Sequence, residues 1–238
     1  MNPTKSIATQ IEDAVSDIHG WTPMDQLLTL FTLAYTTSNL DGDILELGSW
    51  CGRSAVALGM AAKLSGKGKV HCVDLFPEKN DWFMNKDGSY SFTVTLSGMT
   101  YGAYQDQTVW AEPYIKDIAP LYEKYTGTLE AFTLAMQTNA LTDIVFPYRT
   151  DLEGFAKKVP TNFALRLAFI DGDHSYGAVA KDISIVEKFL LPSGWICFDD
   201  AFSSYDGVNK AIQKHVIDSG NYKCFQQMTR KCFIAQRR

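Results

Sequence analysis

Residues 43–60 read DILELGSWCGRSAVALGM, and the fold is decided by how this stretch is read. Ile44, Leu45 and Leu47 form a short branched apolar run, the length and composition of a buried parallel strand. Gly48 and Gly52 bracket a tight turn, and Arg53 to Met60 continues as a helix of small residues. Strand, glycine turn and helix together make the first unit of a doubly wound nucleotide-binding sheet. The glycines are expected to leave room for a ligand against the backbone, with the helix N-terminus offering free N–H groups. A pyrophosphate-binding turn would carry three glycines in the pattern GxGxxG. Here the pattern is Glu46-x-Gly48-x-x-x-Gly52, and a carboxylate at Glu46 suits a cationic amino group better than a phosphate.

Outward from this unit, further strands alternate with helices. Val70 to Asp74 reads as the second strand, placing Asp74 26 positions after Gly48. A carboxylate at that strand end can accept from both hydroxyls of a ribose. His71 reads as a half-buried strand residue. Ile144 to Tyr148 reads as a third strand, Leu165 to Ile170 as a fourth and Trp195 to Phe198 as a fifth. A helix over 207–219 and a closing pair of strands, 222–226 and 232–236, complete the pattern. Ahead of the first strand, Ile11, Ala14, Val15 and Ile18 are spaced for one helix, and Thr22-Pro23 opens a second through Tyr35. Residues 77–126 break the alternation: they are rich in aromatics, including Trp82, Tyr104 and Trp110, with little helical periodicity before Tyr114. An insertion of this length is expected to be a lid or a packed insertion with its own small core.

The chain of 238 residues is long enough for a single α/β domain. A net charge of −5 opposes a nucleic-acid or anionic-membrane partner. Five cysteines without a CxxC pair read as free, mostly buried thiols, as in a reducing compartment. The opening MNPTKSIATQ has no apolar signal core and no run reaches the ~20 residues of a membrane span, so a cytoplasmic location is expected.

A second informative stretch is FIDGDHSY at 169–176, followed by an apolar strand ending in Asp199-Asp200. Asp171, Asp173, His174, Asp199 and Asp200 all fall at carboxyl ends of strands, where open α/β sheets bind ligands. Carboxylates converging there repel one another unless something positive compensates, and an oxygen-liking divalent ion such as Mg²⁺ is the simplest candidate. Helix capping by Asp173 or Asp199 is the plainer alternative.

The (D/E)xGxxxG turn resembles the first motif of class I S-adenosylmethionine (SAM) methyltransferases. FIDGDHSY with the later FDD resembles their metal-dependent O-methyltransferase group, which includes macrolide-sugar and aminocoumarin-sugar tailoring enzymes. The resemblance implies a Rossmann-like, mostly parallel sheet with a reversed last strand and an aromatic-rich insertion. It implies SAM bound by Glu46, Gly48, Ser49, Gly52, Ser54, Asp74, Leu75, Thr150 and Asp151. It also implies a divalent cation on Asp171, Asp199 and Asp200, and proton removal by His174 or Asp171. The acceptor would be a hydroxyl of a sugar, catechol or phenolic natural product. The leading helices would cover the cofactor or form a homo-oligomer contact, with simple cover of the sheet edge as the equal alternative. No (D/N)PP(Y/F) motif follows the fourth strand, which opposes methylation of base or amide nitrogens. A non-catalytic SAM-fold binding protein and, less favoured, a nicotinamide oxidoreductase remain as alternatives.

Overall fold

The computed structural model describes residues 4–103 and 109–238, so Tyr104 lies outside the described residues. The main sheet contains β1 (Asp43–Leu47), β2 (Val70–Asp74), β6 (Val145–Arg149), β7 (Leu165–Ile170), β8 (Leu190–Phe198), β9 (Tyr222–Gln227) and β10 (Phe233–Arg237). A separate sheet is formed by β3 (Trp82–Met84), β4 (Tyr90–Leu96) and β5 (Met99–Ala103). The helices are α1 (Ile7–Val15), α2 (Met24–Thr36), α3 (Arg53–Ser65), α4 (Ala111–Pro113), α5 (Leu121–Lys124), α6 (Thr128–Thr138), α7 (Leu152–Ala156), α8 (Tyr176–Val186) and α9 (Asp206–Ile212).

The seven main strands lie in the order β6-β2-β1-β7-β8-β10-β9. All neighbours from β6 to β8 are parallel, while β10 runs antiparallel to both β8 and β9. This is the Rossmann-like methyltransferase topology with its reversed last strand, as expected. Side chains alternate across each strand and so feed two cores. Ile44, Val70, Cys72 and Phe169 pack beneath α1, α2, α3 and α6. Leu45, Leu47, Ala168 and Ile170 pack beneath α7, α8 and α9 on the opposite face. No helix among the described residues is long and apolar enough to cross a membrane.

Two elements add detail that the sequence reading did not give. The insertion contains β3–β5, an antiparallel sheet whose Ser97-Gly98 turn has both residues at positive φ. That is the backbone a two-residue hairpin with right-twisted strands requires. Trp82, Phe92, Val94, Leu121 and Tyr122 of this insertion cluster with Cys51 and Ala131, so it is packed onto the main domain. The fifth strand of the sheet, β8, starts at Leu190 rather than at Trp195. Leu190 pairs with Leu165 and Trp195 with Leu167, so Pro192, Ser193 and Gly194 bulge out between two paired stretches.

Candidate active site

Parallel pairing brings the informative strand ends together. Ile170 pairs with both Leu47 and Phe198, so Gly48, Asp171 and Asp199 follow one another along the same edge of the sheet. Asp74 pairs with Arg149 and its carbonyl accepts from the Thr150 amide at 3.1 Å, extending that edge. Above it lies a cavity of about 740 Å³. Its other walls include His19–Thr22 ahead of α2, Phe92, Tyr101 and Trp110 of the insertion, Lys181 and Asp182 of α8, and Lys231.

The glycine turn is held by protein contacts. Gly48 has φ +87°, and a Cβ there would overlap the Asp171 carbonyl. Gly52, at φ +90°, faces Met136 and Phe132 of α6. The Cβ side of these two glycines is thus filled by the end of β7 and by α6, while the backbone of Gly48 still lines the cavity. The Asp74 carboxylate accepts from the Trp50 amide at 2.9 Å and from the Phe76 amide, tying β2 to the turn. Burial raises its pKa despite these backbone bonds. Trp50 donates its indole N–H to His19 Nδ1 at 2.8 Å. Arg53 donates to the carbonyls of Val15 (2.7 Å), Ile18 (3.2 Å) and Thr22 (3.0 Å). The leader between α1 and α2 is therefore fastened directly over the turn.

At the other end of the cavity, donor atoms of Asp171, His174 and Asp200 all lie within 4.8 Å of one another. His174 Nε2 is 3.2 Å from Asp200 Oδ2, without hydrogen-bond alignment, and both ring nitrogens are buried without a hydrogen-bond partner. The ring stacks on Tyr205 with centroids 4.3 Å apart. Burial, reinforced by the charge of Asp199, pushes the Asp171 carboxyl well above the usual carboxylate range. Burial acts in the same direction on Asp200, but His174 and Lys231 outweigh it and hold that pKa low. Asp199 accepts from Gln26 Nε2 at 2.7 Å and from Lys231 Nζ at 2.7 Å. Lys231 Nζ also lies 3.6 Å from Asp200 Oδ1. Asp200 itself sits at φ +51°, a left-handed backbone uncommon for a residue with a side chain.

Residues 45–201 match the family described as Methyltransferase domain. The chain belongs to this methyltransferase family. The nicotinamide alternative falls with that assignment. Among solved structures, the chain is similar to the O-methyltransferase NovP, with 15% identity, 92% of this chain and 83% of that chain covered, and a TM-score of 0.60. It is also similar to the O-methyltransferase TomG from Streptomyces achromogenes, described as involved in tomaymycin synthesis and in complex with SAM. That match has 11% identity, covers 98% and 91% of the two chains and has a TM-score of 0.56. An O-methyltransferase from Bacillus cereus in complex with SAH matches at 13% identity, 100% and 93% coverage, and a TM-score of 0.55. At these identities the likeness is one of fold. No curated protein sequence matches.

Within this methyltransferase, Gly48, Ser49, Ser54, Asp74, Leu75, Thr150 and Asp151 line the cavity, as do Asp171, His174, Asp199 and Asp200. Glu46 and Gly52 do not. Strand alternation turns Glu46 to the α3 side of β1, where it is fully buried among Ser49, Ser54 and Cys72. Burial raises its pKa, and its place is beneath the turn rather than against a ligand. Asp151 caps α7 through the Gly154 amide at 2.9 Å, and Ser175, not Asp173, caps α8. His71 bonds Tyr148 and Asp43 in the sheet, remote from the cavity lining. The sequence reading did not find Gln26, Lys231, His19 or Asp182. None of them lies at a recognisable motif, and Gln26 meets Asp199 across 173 positions.

Proposed function

We propose that this methyltransferase moves a methyl group from SAM to a hydroxyl oxygen of a small molecule, with a divalent cation bound beside the acceptor. The observation that carries the reading is one cavity holding two kinds of machinery. Gly48, Asp74 and Thr150 frame the part over β1, β2 and β6, and Asp171, His174 and Asp200 gather over β7 and β8.

The residues present suit both bound groups. Asp74 keeps acceptor capacity beyond its two amide bonds and can take hydrogen bonds from ribose hydroxyls. Ser49, Ser54 and Leu75 line the cavity around it, and Thr150 and Asp151 stand where an adenine edge would pass. For the cation, Asp171 and Asp200 are hard oxygen donors of the type Mg²⁺ prefers, and Mg²⁺ commonly takes one or two carboxylates with water and substrate oxygens. Asp199, the third carboxylate expected from the sequence, already has a partner on each oxygen. SAM supplies an activated methyl group and the cation supplies a Lewis acid that eases ionisation of a hydroxyl.

The chain's own residues then do four things. The cavity walls orient the acceptor in line with the methyl group, which converts a bimolecular encounter into a positioned one. His174 takes the hydroxyl proton, since it lines the cavity and its ring nitrogens have no hydrogen-bond partner. Asp200, 3.2 Å away, stabilises the imidazolium that results. Asp171, as a cation ligand, holds charge rather than the proton.

Methyl transfer from labelled SAM to a panel of sugars, catechols and phenolic compounds tests the proposal. Transfer that falls after EDTA treatment and returns with Mg²⁺ supports it. Full transfer without metal overturns the cation's part. Tight binding of S-adenosylhomocysteine with no transfer to any hydroxyl acceptor favours the ligand-binding alternative.

A further inference from the structure

The acidic cluster contains its own cation. Lys231 Nζ lies 2.7 Å from Asp199 Oδ2 and 3.6 Å from Asp200 Oδ1, with its side chain only 15% exposed. Its backbone is fixed as well: the Lys231 carbonyl accepts from the Ala201 amide at 2.9 Å, one residue past Asp200. The other oxygen of Asp199 is held from the opposite side by Gln26, which reaches it from α2 and is fully buried. A carboxylate can only accept, so the Gln26 nitrogen must face it. Three separate segments, α2, the strand end after β8 and the β9–β10 hairpin, thereby lock one side chain. Meanwhile the group of donor atoms close enough to share an ion consists of Asp171, His174 and Asp200, without Asp199.

We infer that Lys231, braced by Gln26 across Asp199, is a positioning residue that withholds Asp199 from the divalent-cation site and leaves Asp171 and Asp200 as its carboxylate ligands. The inference rests on the proposed function only in taking that cation site as real. Its consequence is a weaker, more exchangeable site than three carboxylates would make, because cation affinity rises with the number of charged ligands. Removing the ammonium would free Asp199 to turn toward the ion. Removing the Asp199 charge, with Lys231 still in place, would cost the ion little.

The test is a titration with Mn²⁺ alone, following the free-ion electron paramagnetic resonance signal. The proteins are wild type, Lys231→Met, Asp199→Asn, the double variant, Lys231→Arg and Asp171→Asn. S-adenosylhomocysteine binding and thermal unfolding are measured on the same samples. We expect Lys231→Met to bind Mn²⁺ about tenfold tighter, Asp199→Asn to stay within about threefold of wild type, and Asp171→Asn to lose binding. Lys231→Arg should keep the wild-type affinity. In the Asp199→Asn background, adding Lys231→Met should change affinity by less than about threefold, because no carboxylate is left to release.

Equal tightening in both backgrounds would mean that Lys231 acts only by charge repulsion, and would overturn the inference. So would a loss in Asp199→Asn as large as that in Asp171→Asn. Should Lys231→Met fail to fold, the comparison of Asp199→Asn with Asp171→Asn decides alone. Absence of Mn²⁺ binding in every protein, with S-adenosylhomocysteine binding intact, would overturn the inference and leave the methyltransferase assignment standing.

Discussion

Replacing Arg53 by glutamine tests how the leader is held over the glycine turn. Arg53 opens α3, and its guanidinium makes three hydrogen bonds, to the carbonyls of Val15, Ile18 and Thr22. Hydrogen bonds to a charged group contribute about 1.5–3 kcal/mol each when isolated. These three share one half-buried side chain and are not additive, so a net loss of about 2–4 kcal/mol is expected. For a domain of this size each kcal/mol moves the midpoint by about 2–4 °C, so Tm should fall by about 4–16 °C. The loss should reach the whole fold, because Ile11 and Val15 of α1 are part of the core under α3. Differential scanning calorimetry supplies the assay, with limited proteolysis between α1 and α2 as the local readout. A Tm within about 1 °C of wild type, together with unchanged cleavage of residues 16–23, would refute the reasoning.

Asp74→Ala should weaken S-adenosylhomocysteine binding by about 1.5–3 kcal/mol, measured by calorimetry, since it removes a charged acceptor and the anchor of Trp50 N–H. His174→Ala should lower turnover by roughly 10²–10⁴-fold while leaving S-adenosylhomocysteine affinity nearly unchanged; a loss smaller than about tenfold would assign it to orientation only. Burial pushes the Asp182 carboxyl on α8 up to about 7. A raised acid binds more protons folded than unfolded, so its contribution is present below pH ~4 and is lost as pH rises through about 7. Urea unfolding should therefore show stability declining over that window, and Asp182→Asn should flatten the decline; an unchanged slope would contradict it.

The sheet and its ligand edge were legible because they rest on local patterns. The branched run ending at Gly48 and the apolar strand over 165–170 needed nothing beyond neighbouring residues, and β7 spans Leu165–Ile170 as expected. The acidic strand ends followed from the same reading, since parallel strands deliver their carboxyl ends to one edge. The insertion was less legible, although Tyr90 to Leu96 alternates and Ser97-Gly98 is a hairpin turn. Its aromatics suggested a lid or a packed insertion without separating the two: Trp82 is packed and donates to the Tyr122 hydroxyl at 2.8 Å, while Phe92, Tyr101 and Trp110 line the cavity. Gly48 and Glu46 show a different limit. Sequence spacing identifies a tight turn, but only the pairing of β1 with β7 shows that the freed space belongs to the Asp171 backbone. The partners of Asp199 come from α2 and from the last hairpin, contacts that no local pattern encodes.

The measurement closest to the central claim is equilibrium binding of S-adenosylhomocysteine to the purified protein, by isothermal titration calorimetry. The cavity over β1, β2 and β6 predicts saturable binding at one site per chain, reduced by Asp74→Ala. Absence of heat and of thermal stabilisation at millimolar ligand would contradict the assignment of that cavity to the cofactor.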